Sequence, residues 1–257
     1  MSIKFVILGS GSSMGVPRAD GYSGNCNLKN KKNLRTRCSA LIRFNKQNIL
    51  IDTSPDLRAQ LLQNKIKSIN KVFYTHLHAD QTHGINDLRP FFLTSKKQIP
   101  VYADTLTKKY LCSTFGYCFK STYGYPSTLK INTLKKKYIL TNRDEKISIE
   151  SIPVEHGNIK SICYLINKKL AYASDISLFF KKDFKKLTNL NYLVIDCLWY
   201  KNHPAHFNLD QVLELVKVLS PKKTILTNMH SDLDYDQIKK RLPKNIIPGF
   251  DGMNINL

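Results

Sequence analysis

His76, His78 and Asp80 alternate along one short segment, His76-Leu77-His78-Ala79-Asp80. In an extended chain, side chains two residues apart point to the same side, so the two imidazoles can share one cation. Asp80, where the chain is expected to turn, can offer a carboxylate to a neighbouring cation. Four more apolar runs end in a residue able to bind a metal or take a proton: Ile152-Pro153-Val154-Glu155-His156, Leu170 to Asp175, Tyr192 to Asp196 and Ile225 to His230. Chance would scatter such residues. Strand ends on one sheet edge converge, and sites are built from the loops there. His156 would complete a three-histidine site with one position open for water. His230 would serve a second metal, and Asp175 could bridge both ions. Two cations about 3.5 to 4 Å apart lower the pKa of a bridging water and clamp the oxygens of an in-line displacement, which suits phosphoester hydrolysis. Each histidine alone reads as an ordinary core or surface residue, Asp80 as a helix cap and Asp175 as a turn residue. Five of the seven histidines at mutually consistent positions shift that balance. Asp52 and Asp196 also close apolar runs and are expected to orient ligands.

These exits presuppose strands and the helices between them. Residues of β type recur from Lys4 to Leu8, Ser39 to Phe44, Asn48 to Asp52, Lys71 to Tyr74, Ile99 to Tyr102, Ile147 to Val154, Ser161 to Ile166, Leu170 to Ala173, Tyr192 to Ile195 and Thr224 to Leu226. Helical periodicity fits Asp56 to Asn64, Asn208 to Leu219 and Asp234 to Arg241, the second opening on Asn208 as a cap and closing before Pro221. Early strands follow one another as meanders and later ones are separated by helices, which predicts a mixed sheet system. The loop Gly9-Ser10-Gly11-Ser12-Ser13-Met14-Gly15 lacks the Lys-Ser/Thr ending of a phosphate-binding loop and reads as a tight turn. The stretch from Phe115 to Leu134, rich in Tyr, Ser, Thr and Gly, reads as an insertion or lid loop.

With 257 residues and 42% hydrophobic content the chain can bury a sizeable core, and residues 1–257 read as one catalytic domain. No stretch approaches the roughly 20 apolar residues of a membrane span, and the N-terminal apolar run is too short for a signal peptide. A cytoplasmic, soluble protein with no membrane partner is expected. The six cysteines are scattered without a CxxC pair, so no disulfide framework is expected. A net charge of +21 could draw in phosphorylated or nucleic-acid partners. Lysines spread along the whole chain with abundant Asn and Ile, however, fit a compositional bias better. The partners expected are a small phosphorylated substrate and a second copy in a homodimer, with nucleic acid a secondary alternative.

The segment His76-Leu-His78-Ala-Asp80-Gln81-Thr-His83-Gly84 resembles the metallo-β-lactamase signature His-x-His-x-Asp-His-x-x-Gly. Gly9 to Arg18, Arg35 to Ile42, Leu50-Ile-Asp52, Leu193 to Cys197 and His206 to Gln211 are similar to the branch containing the cyclic-phosphate phosphodiesterase of bacterial phosphonate breakdown. The resemblance covers nearly the whole chain. It implies a four-layer αββα sandwich of α/β class, two divalent ions (Mn²⁺ or Zn²⁺), and hydrolysis of phosphoribosyl 1,2-cyclic phosphate or a related cyclic diester by a metal-bound hydroxide. It places His76, His78 and His156 on one ion, Asp80 and His230 on the other, and Asp175 between them. His206 falls where that branch carries a general acid, and Asp80 is counted with it among the catalytic groups. Histidine suits that role because its unperturbed pKa is close to neutrality.

Two departures qualify the match. Gln81 stands where the signature has its fourth histidine, and a neutral amide is a poorer ligand for a transition metal, so the second metal site is expected to be weak. Only Cys26 remains of the cysteine cluster that holds a structural zinc in some relatives, so none is expected here. His83 would face away from its neighbours along a helix and is not taken as a ligand. Arg18, Arg35, Arg37 and Arg89 are candidate phosphate contacts. Two rival readings are a tRNA 3′-processing ribonuclease, favoured by the charge, and a non-catalytic binding protein with a degraded centre, favoured by Gln81.

Overall fold

In the computed structural model, residues 3–122, 124–142 and 145–257 are described. Their strands are β1 (Lys4–Gly9), β2 (Ser39–Phe44), β3 (Gln47–Ile51), β4 (Lys71–Phe73), β5 (Ile99–Ala103), β6 (Leu129–Thr133), β7 (Lys137–Asn142), β8 (Glu145–His156), β9 (Ile159–Ile166), β10 (Leu170–Ala173), β11 (Tyr192–Asp196), β12 (Lys223–Thr227), β13 (Ile246–Pro248) and β14 (Met253–Asn256). The helices are α1 (Leu57–Gln63), α2 (Ala79–Thr82), α3 (Arg89–Ser95), α4 (Thr105–Thr114), α5 (Gly116–Phe119), α6 (Phe184–Leu187), α7 (Leu209–Leu219) and α8 (Tyr235–Arg241). The chain divides into two compact units, one made of the residues up to Gly9, Ser39–Lys135 and Gly252–Asn256, the other of Ser10–Cys38 and Lys136–Asp251.

The first unit holds a seven-stranded sheet in the order β14-β1-β2-β3-β4-β5-β6. Its β14, β1, β2 and β3 pair antiparallel, and β3 through β6 pair parallel. A short turn joins β2 to β3, whereas the parallel neighbours need crossovers, which α1 to α5 supply. Val6, Leu8, Leu41, Leu50, Leu57 and Val72 belong to its core. The segment read from sequence as a lid loop is ordered differently. It carries α5 and then β6, which extends the sheet beside β5.

The second unit repeats the scheme in reverse, with the order β13-β12-β11-β10-β9-β8-β7. Here β7 to β10 are antiparallel and β10 to β13 parallel, with α6, α7 and α8 as crossovers. Crossovers therefore occur in both halves of the chain and not only in the later one. Helix α7 buries Leu209, Val212, Val216 and Leu219, the i, i+3, i+7, i+10 face that its sequence pattern anticipates. Strands β8, β10, β11 and β12 all run in one direction, so their C-terminal ends share one edge of the sheet. His156, Asp175, Asp196 and Asn228 lie at or just past those ends.

Candidate functional site

In the first unit the parallel neighbours β3 and β4 end side by side, and the residues just past them are linked. Asp52, buried and with a left-handed backbone (φ 62°), accepts from Thr75 N at 2.7 Å and from Thr75 Oγ1 at 2.9 Å. A threonine hydroxyl has one proton, and here it goes to the carboxylate. Thr75 Oγ1 therefore accepts the Nδ1 proton of His76, 3.0 Å away, which leaves the lone pair of the ring on Nε2. That Nε2 is 3.0 Å from His78 Nδ1. Two nitrogens about 2.0 to 2.1 Å from a common zinc ion are about 3 Å apart when the angle between them is near 90°. The pair thus fits a shared divalent cation, for which imidazole nitrogen is a common ligand.

Asp80 and Gln81 lie in α2, which begins directly after His78. Gln81 is buried, and its Nε2 donates to Asp80 Oδ2 at 3.2 Å. His83 pairs with Tyr110 Oη at 2.9 Å and meets the Phe115 ring edge-on.

In the second unit the strand ends bring together His156, Asp175 and His206, whose ligand atoms lie within 4.8 Å of one another. His156 Nδ1 donates to the Ala205 carbonyl at 2.7 Å, so its proton is on Nδ1 and its lone pair on Nε2. Gly157 permits this approach. Its φ is +60°, and a Cβ there would lie 3.0 Å from the Cβ of Ala205. His206, on the loop between β11 and α7, donates Nδ1–H to Asp196 Oδ2 at 2.6 Å. Burial pushes the Asp196 carboxyl up to about 6, against the pull of His206 and of Ile176 N–H, which favour the ionised form.

His230 lies outside this cluster. Its Nδ1 accepts from Asp232 N at 3.3 Å, and its ring lies 5.0 Å from that of Trp199. The side chain that reaches Asp175 and His206 from the end of β12 is Asn228, with Nδ2 at 3.2 Å from Asp175 Oδ1 and 3.2 Å from His206 Nδ1. Sequence reasoning passed over it because it looked for residues that titrate. The available signal was its place one residue past β12, where asparagine tolerates the observed φ of 59°. Arg35 is no phosphate contact. It is 2% exposed, and its guanidinium is spent on Leu233 O, Asn33 Oδ1 and His230 O.

Residues 47–229 match the family model described as a Beta-lactamase superfamily domain. The chain belongs to the β-lactamase superfamily. Two mixed seven-stranded sheets with helices agree with the metallo-β-lactamase type of α/β fold that the signature implied. Within the superfamily the chain is PhnP-like. A solved structure described as a new diphosphatase from the PhnP family shares 29% identity over 100% of this chain and 98% of its own, with a TM-score of 0.89. Zinc-bound PqqB from Methylobacterium extorquens (15% identity, 99% and 100% covered, TM-score 0.79) and the short form of human tRNase Z (17%, 98% and 98%, 0.69) share the fold alone. A curated relative from Porphyromonas gingivalis that carries the name Octanoyltransferase is 28% identical over 98% of this chain. This chain spans about half (51%) of that relative's length. Superfamily membership and the histidine-rich donors support a metal-dependent hydrolase. Among the described residues no helix is long and apolar enough to cross a membrane.

Proposed function

We propose that this β-lactamase superfamily chain is a metal-dependent phosphoric diester hydrolase that opens a small cyclic phosphate of the phosphoribosyl 1,2-cyclic phosphate type. The observation that carries the reading is the Asp196–His206 pair. Hydrolysis of a phosphodiester needs a proton for the departing alkoxide, and a histidine held through Nδ1 by a buried carboxylate presents Nε2 to deliver it. Asp196 stabilises the imidazolium while it waits and fixes the ring direction.

His76, His78 and His156 would hold one divalent ion, Mn²⁺ or Zn²⁺. Asp80, Asp175, Gln81 and His230 would be the candidates to hold a second. Bound metal supplies Lewis acidity, lowering the pKa of water and drawing charge from the phosphoryl oxygens. The chain's own part is to orient. Asp52 and Thr75 fix the His76 tautomer, Ala205 fixes that of His156, and His206 carries the proton. The similarity to a PhnP-family diphosphatase supports phosphorus chemistry at a small substrate.

A second reading, tRNA 3′-end processing, is favoured by the net charge of +21. Turnover of a cyclic ribose phosphate, a diphosphate diester and a precursor tRNA by the Mn²⁺-supplemented protein separates these. The first substrate should be turned over fastest. Preferred cleavage of precursor tRNA would overturn the cyclic-phosphate reading. Absence of bound metal, together with no hydrolysis of bis(p-nitrophenyl) phosphate, would instead favour a binding protein.

A further inference from the structure

Ala205 uses both sides of its backbone on imidazoles. Its carbonyl accepts the Nδ1 proton of His156 at 2.7 Å, and its N–H donates to Nδ1 of His203 at 3.2 Å. The two rings therefore present opposite chemistry. His156 keeps a lone pair on Nε2, whereas His203 spends its lone pair on Ala205 and carries its proton on Nε2. A doubly protonated His203 would set Nδ1–H against the Ala205 N–H. Partial desolvation and, after it, the neighbouring His206 lower the His203 pKa, which favours the same neutral form.

His203 stands beside the histidine that delivers the proton. The ring centroids of His203 and His206 are 5.0 Å apart, and those of His206 and His156 are 4.7 Å apart. The loop that carries His203 and His206 is closed at its base by Leu198 N, which donates to Phe207 O at 3.0 Å, and by Leu209 N, which donates to Trp199 O at 2.9 Å. The side chain of His203 is exposed, and among the described residues nothing accepts from its Nε2. A donor that is held in place, uncommitted and one ring away from His206 matches what a phosphodiester brings, an anionic group with two oxygens that only accept.

We propose that His203 is a substrate-contacting residue that donates its Nε2–H to a nonbridging oxygen of the phosphodiester whose leaving group His206 protonates. This rests on the phosphodiesterase reading above and deepens it. No proton leaves His203 in this role, so it binds the phosphoryl group and takes no part in proton transfer.

The test compares His203→Phe, which keeps a flat ring and has no donor, with His203→Gln, whose terminal N–H has a comparable reach. In the Mn²⁺-loaded protein His203→Phe should raise KM for bis(p-nitrophenyl) phosphate, and the Kd for inorganic phosphate measured by calorimetry, by about tenfold, with kcat within about twofold of the natural chain and the metal content unchanged. His203→Gln should recover most of that loss. Natural KM and Kd in His203→Phe, or a fall in kcat alone, overturn the proposal. So does an equal loss in His203→Gln, which would make the shape of the ring the cause, and so does a parallel loss of bound metal, which would place the effect on the ligands. A natural chain that hydrolyses no phosphodiester fails at the earlier step, the phosphodiesterase reading itself.

Discussion

Thr75 connects a buried carboxylate to a histidine through one hydroxyl, and that single proton decides which nitrogen of His76 keeps its lone pair. Thr75→Val keeps the shape and removes the relay, so the affinity for Zn²⁺ should fall by about 10- to 100-fold in a chelator competition. An unchanged affinity would mean that Asp52 and Thr75 do not govern the ligand. On the other unit, His206→Ala should lower kcat by about 10² to 10⁴ while leaving the metal content intact, which separates proton delivery from ion binding. Full activity in that variant would remove His206 from the chemistry. Asp196→Asn keeps an acceptor opposite Nδ1 and should cost less than His206→Ala. His76 and His78 were legible from alternation alone, because a two-residue period has one geometric meaning in an extended segment. Asn228 was not. Its importance comes from its neighbours Ser174, Asp175 and His206, which are remote in sequence, and its own chemistry is neutral.

Helix α7 shows what local sequence can settle. Asn208 accepts from Gln211 N at 2.8 Å and Gln211 Oε1 accepts from Asn208 N at 3.0 Å, a reciprocal cap that leaves two fewer orphan donors. Asn208→Ala should lower the unfolding free energy by about 1 kcal/mol in urea titrations, with activity at low temperature little changed. No loss would show that solvent satisfies those amides as well as the cap does. The strands that sequence reasoning missed share one property: β6, β7, β13 and β14 are the outermost strands of the two sheets. An outer strand pairs on one side only and need not be apolar on both faces, so it lacks a run such as Leu193-Val194-Ile195 of β11. β6 adds Asn and Thr to a Tyr- and Ser-rich neighbourhood, and β13 is three residues ending in proline. Their place depends on a partner already formed, which no local pattern records.

For the molecule as a whole, acid–base behaviour follows from two enclosed carboxyls. Asp251 keeps part of its surface exposed, yet its carboxylate accepts from Ser10 N, Ser10 Oγ, Thr36 N and Thr36 Oγ1, and burial pushes its pKa up to about 6, as it does for Asp196. The unfolded chain ionises these groups near the usual pKa of about 3.9. Between pH 4 and 6 the folded protein therefore holds protons that the unfolded chain has lost. Stability from these groups is greatest below pH 4, falls as pH rises through 6 and is level beyond. Urea midpoints at pH 4.5, 5.5 and 7 should show that decline, and Asp251→Asn should reduce its slope. An unaltered slope would take Asp251 out of the account. Those four hydrogen bonds, and the pairing of β1 with β14, join residues 4–10 and 36 to residues 251–256. A ribosome makes the chain from the N-terminus, so β1 gains its second neighbour only after some 240 intervening residues have emerged. Until then Ser10 and Thr36 have no Asp251 to meet and one side of β1 stays open, which makes the nascent chain, more than the finished protein, the species that most needs a chaperone.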